Sequence, residues 1–417
     1  MHTAAATGPR KRTGTRTGTG TGTGTSSGHR VPIAWLALLA TPVAAGANAP
    51  VLILDDVGRS LGVGTATAAW VVTAFAWAMA VGGPVLATLL RHRGTRTTLR
   101  FGAVLVVAGT ALVAAAPWLP LVFLGRAAQA TGGAGLIAVA MNLAGDARRM
   151  GVISAGFGML GAVGPLLGRF LTHTTSWRVA LAVSVVAVTA VPAVTRHTGA
   201  AAPTARDRVD TRGAVLLTAL ATGVILLPSQ PLWGSATALF ASTALTLHVR
   251  RRPEGFLPVA VLRTPVFRTA TLLTLALSTS YFTLLFAVPR LIGQRAGWAD
   301  GPVATGLLFA LLCGSVLSLF FAALSRRLGR TRTRAVLLTV GVLAPVTAAF
   351  AGSGALLLMV AGAAVFCATG ANGTQSMDAA SAVPQSHRPT AIGLFTLCYQ
   401  LGGALGPALA TALVLTG

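Results

Sequence analysis

Apolar runs of about twenty residues recur from one end of this chain to the other, and they constrain its fold more tightly than any other feature. A bilayer core about 30 Å thick is crossed by a helix of about twenty apolar residues, and only helices and closed barrels satisfy their own backbone polar groups there. Thirteen such runs stand at roughly 32–54, 66–90, 101–118, 119–144, 151–171, 178–195, 213–228, 233–248, 269–289, 303–324, 335–351, 355–376 and 391–415. They predict an all-α polytopic membrane protein. The short runs at 213–228 and 233–248 are joined by Pro228-Ser-Gln-Pro231, which reads as a tight turn. Ala47-Asn48-Ala49 has the form of a signal-cleavage site, but Pro50 follows it and the run is long, so the first run is kept as a span.

The formal charge of +24 raises nucleic acid as a partner, but its distribution points elsewhere. With residues 1–30 on the inside and the spans alternating, 26 of the 32 Lys and Arg residues fall on one face, as the positive-inside rule requires of cytoplasmic loops. The expectation is therefore a multi-pass protein of a bacterial inner membrane, N-terminus cytoplasmic, with the lipid bilayer as partner, no nucleic acid, and a monomeric state. Residues 1–30, a basic Thr/Gly-rich tail, cannot bury a core and are expected to be disordered. Cys313, Cys367 and Cys398 lie in apolar runs without a CxxC pair and read as small core residues. Neither a metal nor any other cofactor is expected. The chain has no Ser/His/Asp set, phosphate loop or Walker motif, so enzyme chemistry and direct use of ATP are not expected either.

Three signals occur twice, in the same order. Ala87-Thr-Leu-Leu-Arg91-His-Arg-Gly94 matches Ala322-Ala-Leu-Ser-Arg326-Arg-Leu-Gly329 at an offset of 235. Ala130-Thr-Gly132 matches Ala368-Thr-Gly370 at 238, and Gly161-Ala-Val-Gly164-Pro165 matches Gly403-Ala-Leu-Gly406-Pro407 at 242. The copies run parallel, an arrangement that puts a transporter's substrate site at mid-membrane between halves. The implied organisation is a tail at 1–30, a six-helix bundle at 31–196, a cytoplasmic linker at 197–212, an inserted two-helix hairpin at 213–249, a cytoplasmic loop at 250–268 and a five-span bundle at 269–417. By this register the second half lacks a partner for the sixth span, which reads as a missing last span.

Trp70-Val-Val-Thr-Ala-Phe75, Gly94-Thr-Arg96, Arg126-Ala-Ala-Gln129, Gly161-x-x-Gly164-Pro165-x-x-Gly168 and Trp177-Arg178 resemble the major facilitator superfamily. The resemblance is greatest to its fourteen-span drug:proton antiporters and covers about 32–417. It implies a two-fold pseudo-repeat of six-helix bundles with a two-helix central insert, working as a secondary transporter. The expected activity is multidrug efflux and antibiotic resistance, exporting a hydrophobic or cationic small molecule with protons as coupling ion. A transporter-derived sensor and a facilitator not coupled to protons are the alternatives. The chain departs from the pattern in the loops after spans two and ten, where Arg91 and Arg326 replace the carboxylate with which the family latches its cytoplasmic face. Arg96 and Arg330 complete that loop motif. Gly46 stands where this branch carries an aspartate in span one.

The candidate functional residues follow from burial costs. Arg126, about seven residues or roughly 10 Å into its span, has to find partners inside the bundle. Gln129, one turn on, shares its face. The resemblance implicates Arg126 in proton coupling. Asp55 and Asp56, at the end of span one, are the carboxylates nearest to a span. Asn48, Asn372 and Gln400 are polar groups within spans, and Tyr281 and Tyr399 are the only tyrosines; by the resemblance, the tyrosines face the cavity. Gly158, Gly161, Gly164 and Gly168 leave a bare helix face, and Pro165 cannot donate to the Gly161 carbonyl. Gly403, Gly406 and Pro407 repeat the pattern, and both copies are expected along the packed seam on which the halves rock.

Overall fold

The computed structural model describes residues 31–144, 147–198, 210–252, 259–384 and 387–415. The expected disordered tail and most of the 197–212 linker lie outside them. Every regular element among the described residues is helical. In chain order they are α1 (Ile33–Asn48), α2 (Leu54–Leu61), α3 (Thr65–Ala68), α4 (Trp70–Ala115), α5 (Leu119–Ala144), α6 (Ala147–Thr174), α7 (Trp177–Ala182) and α8 (Val191–His197), then the hairpin helices α9 (Thr211–Leu226) and α10 (Pro231–Arg251). The rest are α11 (Val259–Arg263), α12 (Pro265–Ala296), α13 (Asp300–Phe350), α14 (Gly354–Ser381) and α15 (Arg388–Ala410). A 3-10 stretch, Val183–Ala190, joins α7 to α8, so that 177–197 forms one rod.

Among the described residues, ten helices are long and apolar enough to cross a membrane. The stretch 65–115 holds two crossings, because 51 residues of straight helix would extend far beyond a bilayer. Its chain reverses at Gly94, with φ 79° and ψ 175°, and α13 breaks in the same way at Gly329, with φ 78° and ψ 164°. Only glycine adopts that backbone region without strain. The loops expected around 91–100 and 326–334 are therefore single-residue breaks, 235 positions apart like the motif that contains them.

The repeat is also visible in packing. In the first half α1 packs on α6 and α4 on α5; in the second α12 packs on α15 and α13 on α14. The halves meet along two seams, α4 with α15 and α6 with α13. The α9–α10 hairpin leans on the first of these, touching both α4 and α15. Its base is held by the Asp210–His248 pair at 2.9 Å, and Asp210 also accepts from the Gly213 amide at 3.0 Å to cap α9. Trp77 of α4 donates to Thr222 of α9 at 2.9 Å.

Two expectations need correction. The Gly-Pro motifs do not lie between the halves. A Cβ on Gly164 would meet the Ala45 carbonyl oxygen at 2.7 Å, one on Gly168 would collide with Ala49, and one on Gly406 would collide with Phe282. The bare faces thus seat α6 on α1 and α15 on α12, inside each half, and leave the opposite faces of α6 and α15 to form the seams. Gly158, the first glycine of the motif, has open space beside it. Cys313, expected in the core, is exposed. It shares an outward stripe of α13 with Phe309, Val316, Leu317 and Phe320, all exposed at helical spacing.

Candidate functional site

Arg126 is fully buried in the first half. Its guanidinium donates to the Gly46 carbonyl at 3.0 Å, to Gln129 Oε1 at 3.1 Å and to the Leu181 carbonyl at 3.5 Å. The Phe75 ring lies 4.1 Å from its central carbon. A lone arginine at the centre of a membrane helix costs roughly 2.5–3.5 kcal/mol, and hydrogen bonds to a charged group return about 1.5–3 kcal/mol each. Carbonyls and an amide therefore suffice to hold this charge, although Nε is left without a partner. Gln129 completes the cradle by donating to Thr110 at 3.0 Å and to the Leu181 carbonyl at 3.1 Å.

Gly46 explains how the cradle works without an acid. A side chain there would run into Ser184, so the position offers Arg126 its main-chain oxygen instead. The described carboxylates Asp55, Asp56, Asp210, Asp300 and Asp378 all lie near helix ends, and none contacts Arg126.

A second constellation joins the halves. Asn48 is buried at the end of α1 and donates to the Gly161 carbonyl at 2.9 Å. That is the carbonyl Pro165 leaves free, so a side chain from α1 replaces the missing backbone donor of α6. The Asn48 side chain also lies close to the Tyr281 phenol on α12, in the other half. The Tyr281 ring lies tilted against that of Phe282 at 4.7 Å between ring centres, and Phe282 meets Tyr399 of α15 edge-on at 6.3 Å. Asn48, Tyr281 and Tyr399 thus converge on one place. Asn372 and Gln400 are half-buried and, among the described residues, no hydrogen bond ties them to it. Phe282 was missed from sequence because it has no polar group; it lies opposite Gly403 and Gly406.

The described contacts of Arg96, Arg330 and Arg334 lie within their own halves. Arg96 donates to the Thr198 carbonyl at 2.9 Å, and Arg91 lies 3.5 Å from the Thr88 hydroxyl. Arg330 and Arg334 pair with Asp378 of α14 at 2.8 and 3.5 Å. The side chain of Arg326 lies outside the described residues. At the opposite end, Asp56 pairs with Arg59, and Asp55 accepts from Thr65. A cavity of about 330 Å³ also lies at that end, between Trp70, Thr73, Ser229, Ala408 and Thr411.

A family model for the Major Facilitator Superfamily matches residues 34–407. The chain belongs to that superfamily. This member is 31% identical over 414 residues to the lincomycin resistance protein of Streptomyces lincolnensis, covering 90% of this chain and 82% of that one. It is 29% identical over 304 residues to an uncharacterised MFS-type transporter of Mycobacterium tuberculosis, covering 64% of this chain and 42% of the relative, so it spans less than half of that protein. Its fold is also that of a peptide transporter, POT, solved in complex with sulfate: the TM-score is 0.62 at 15% identity, covering 91% of this chain and 87% of the other.

Proposed function

We propose that this superfamily transporter exports a hydrophobic or cationic small molecule, such as a drug or secondary metabolite, by alternating access across a bacterial cell membrane. The basic end faces the cytoplasm, and residues 31–196 and 269–417 are the two moving bundles. The observation that carries this reading is the convergence of Asn48, Tyr281 and Tyr399 where the halves meet. Aromatic faces with an amide and two phenols suit an apolar or cationic ligand, since cations are drawn to aromatic rings. The similarity to a lincomycin resistance protein supports an exported small molecule.

A proton gradient is the proposed driving force, with Arg126 as the coupling group. The cradle around Arg126 favours a second reading, transport without proton coupling, because carbonyls rather than a titrating carboxylate hold the guanidinium. Everted membrane vesicles given a cationic dye in the medium separate the two, since export then appears as uptake into the lumen. Export that stops when the pH gradient is collapsed supports antiport; export that continues leaves the uncoupled reading. Arg126→Ala is expected to reduce export at least tenfold while the protein still purifies folded. A native protein that moves no dye under either condition would end the export reading.

A further inference from the structure

Among the described residues, apolar packing and ion pairs join the two halves at the end away from the basic loops. Among the described residues, one apolar cluster contains core side chains from both halves, with Val51, Leu54 and Val72 of the first against Tyr281, Leu285 and Val288 of the second. Two ion pairs cross between the halves around this plug. Asp55 faces Arg290 of α12 at 3.9 Å, and Arg169 of α6 faces Asp300 of α13 at 3.1 Å. At the basic end, the described carboxylates Asp210 and Asp378 pair with His248 and with Arg330 and Arg334, inside the hairpin and inside the second half.

Asp55 and Arg290 are 235 positions apart, the offset of the loop repeat, so each occupies the other's place in the two copies. Repeat mates close to a two-fold axis face each other across it. Identical charges there would repel; in this chain the copies have diverged to opposite signs.

We propose that Asp55–Arg290 and Arg169–Asp300 form a latch that holds the non-cytoplasmic end shut and must part for the transported molecule to leave. The carboxylates are well exposed, Asp55 at 70% and Asp300 at 81%. Water can therefore take over each partner, and one exposed pair biases an equilibrium only about two- to fivefold. Such weakness suits a contact broken in every cycle.

The latch rests on the transport reading for its role, but its test needs no transported molecule. In a background without Cys313, Cys367 and Cys398, Val51→Cys places a thiol in the inter-half plug. Intact cells are treated with a membrane-impermeant thiol reagent. Arg290→Ala with Asp300→Ala is expected to raise the labelling rate about tenfold, the two pairs acting independently. Exchanging charges, Asp55→Arg with Arg290→Asp, is expected to keep the parental rate. An unchanged rate in the first variant, a raised rate in the exchanged one, or labelling only in everted membranes overturns the latch. These outcomes stand whether or not dye export is found.

Discussion

The two halves share a scaffold but fill it differently. Both seat a Gly-Pro helix on its first helix, α6 on α1 and α15 on α12, and both turn sharply at a left-handed glycine. Inside that scaffold the first half is polar, with Arg126, Gln129 and Asn48 buried together. At the matching offset of 238, the second half places Ala364 and Cys367 where Arg126 and Gln129 stand. Both are buried, and Cys367 makes only a long contact to the Leu337 carbonyl at 3.7 Å. Phe282 lies over Gly403 where, in the first half, Asn48 caps Gly161. Close helix packing thus depends on glycine alone and survives duplication. A buried charge depends on several carbonyls arriving from distant segments, and only one copy kept them.

The ends of the matching helices make the same point. Arg178 donates to the Ala116 carbonyl at 2.8 Å after α4. Its repeat counterpart, Ala351 after α13, is served at 3.1 Å by Arg295, which comes from α12. Orphan carbonyls at a helix C-terminus need a donor, and any arginine that reaches them will serve.

The largest effect is expected from Ala364→Arg, which puts into the second half the charge that the first half cradles. Ala364 is buried among the apolar side chains of the second half, so the guanidinium would be buried unpaired, at a cost of about 3–5 kcal/mol. The expected outcome is loss of monodisperse protein in detergent. Normal yield and thermal stability would mean that the halves are more alike in polarity than their buried residues indicate.

An intermediate effect is expected at Asn48. Asn48→Leu keeps the bulk but removes the donor to the Gly161 carbonyl, leaving a buried acceptor unsatisfied at about 1–3 kcal/mol. Thermal unfolding in detergent should shift downward, and Asn48→Ala should shift it at least as far. If Asn48→Leu unfolds like the native protein, the side-chain cap on α6 contributes nothing and the contrast with Phe282 is one of shape only.

Much of this was legible before any coordinates, and the remainder has a common cause. Span positions outside the 213–249 hairpin, the pairing of Arg126 with Gln129 and the freed Gly161 carbonyl follow from local spacing along one helix. The partner of a glycine face does not. Nothing near Gly164 specifies α1 rather than a helix of the other half, and the seam was therefore misplaced. The Asn48 cap spans 113 residues, and Arg126 reaches back 80 residues to Gly46; both depend on how rods are set side by side. Asp55 and Arg290 were closer to being readable, because the repeat offset alone brings them face to face. Phe282 was hidden by its chemistry, since an aromatic residue in an apolar run looks like any lipid-facing one.

The smallest effect concerns the α9–α10 hairpin, which touches both halves and is tied to the first by the Trp77 hydrogen bond. Trp77 donates to Thr222 from α4 of the first half, whereas the contacts of α9 with α15 include no side-chain hydrogen bond among the described residues. By that asymmetry, the hairpin is expected to travel with the first half and slide on the second. Trp77→Phe retains most of the ring and removes one neutral hydrogen bond, worth about 0.5–1.5 kcal/mol. Global unfolding should shift little, because the hairpin has its own Asp210–His248 tie. Amide exchange in α9 should instead quicken about two- to tenfold, the factor that this energy corresponds to, with α15 unchanged. Equal acceleration in α9 and α15 would show the hairpin to be a brace between the halves, and the comparison between them would then have to include a third, shared element.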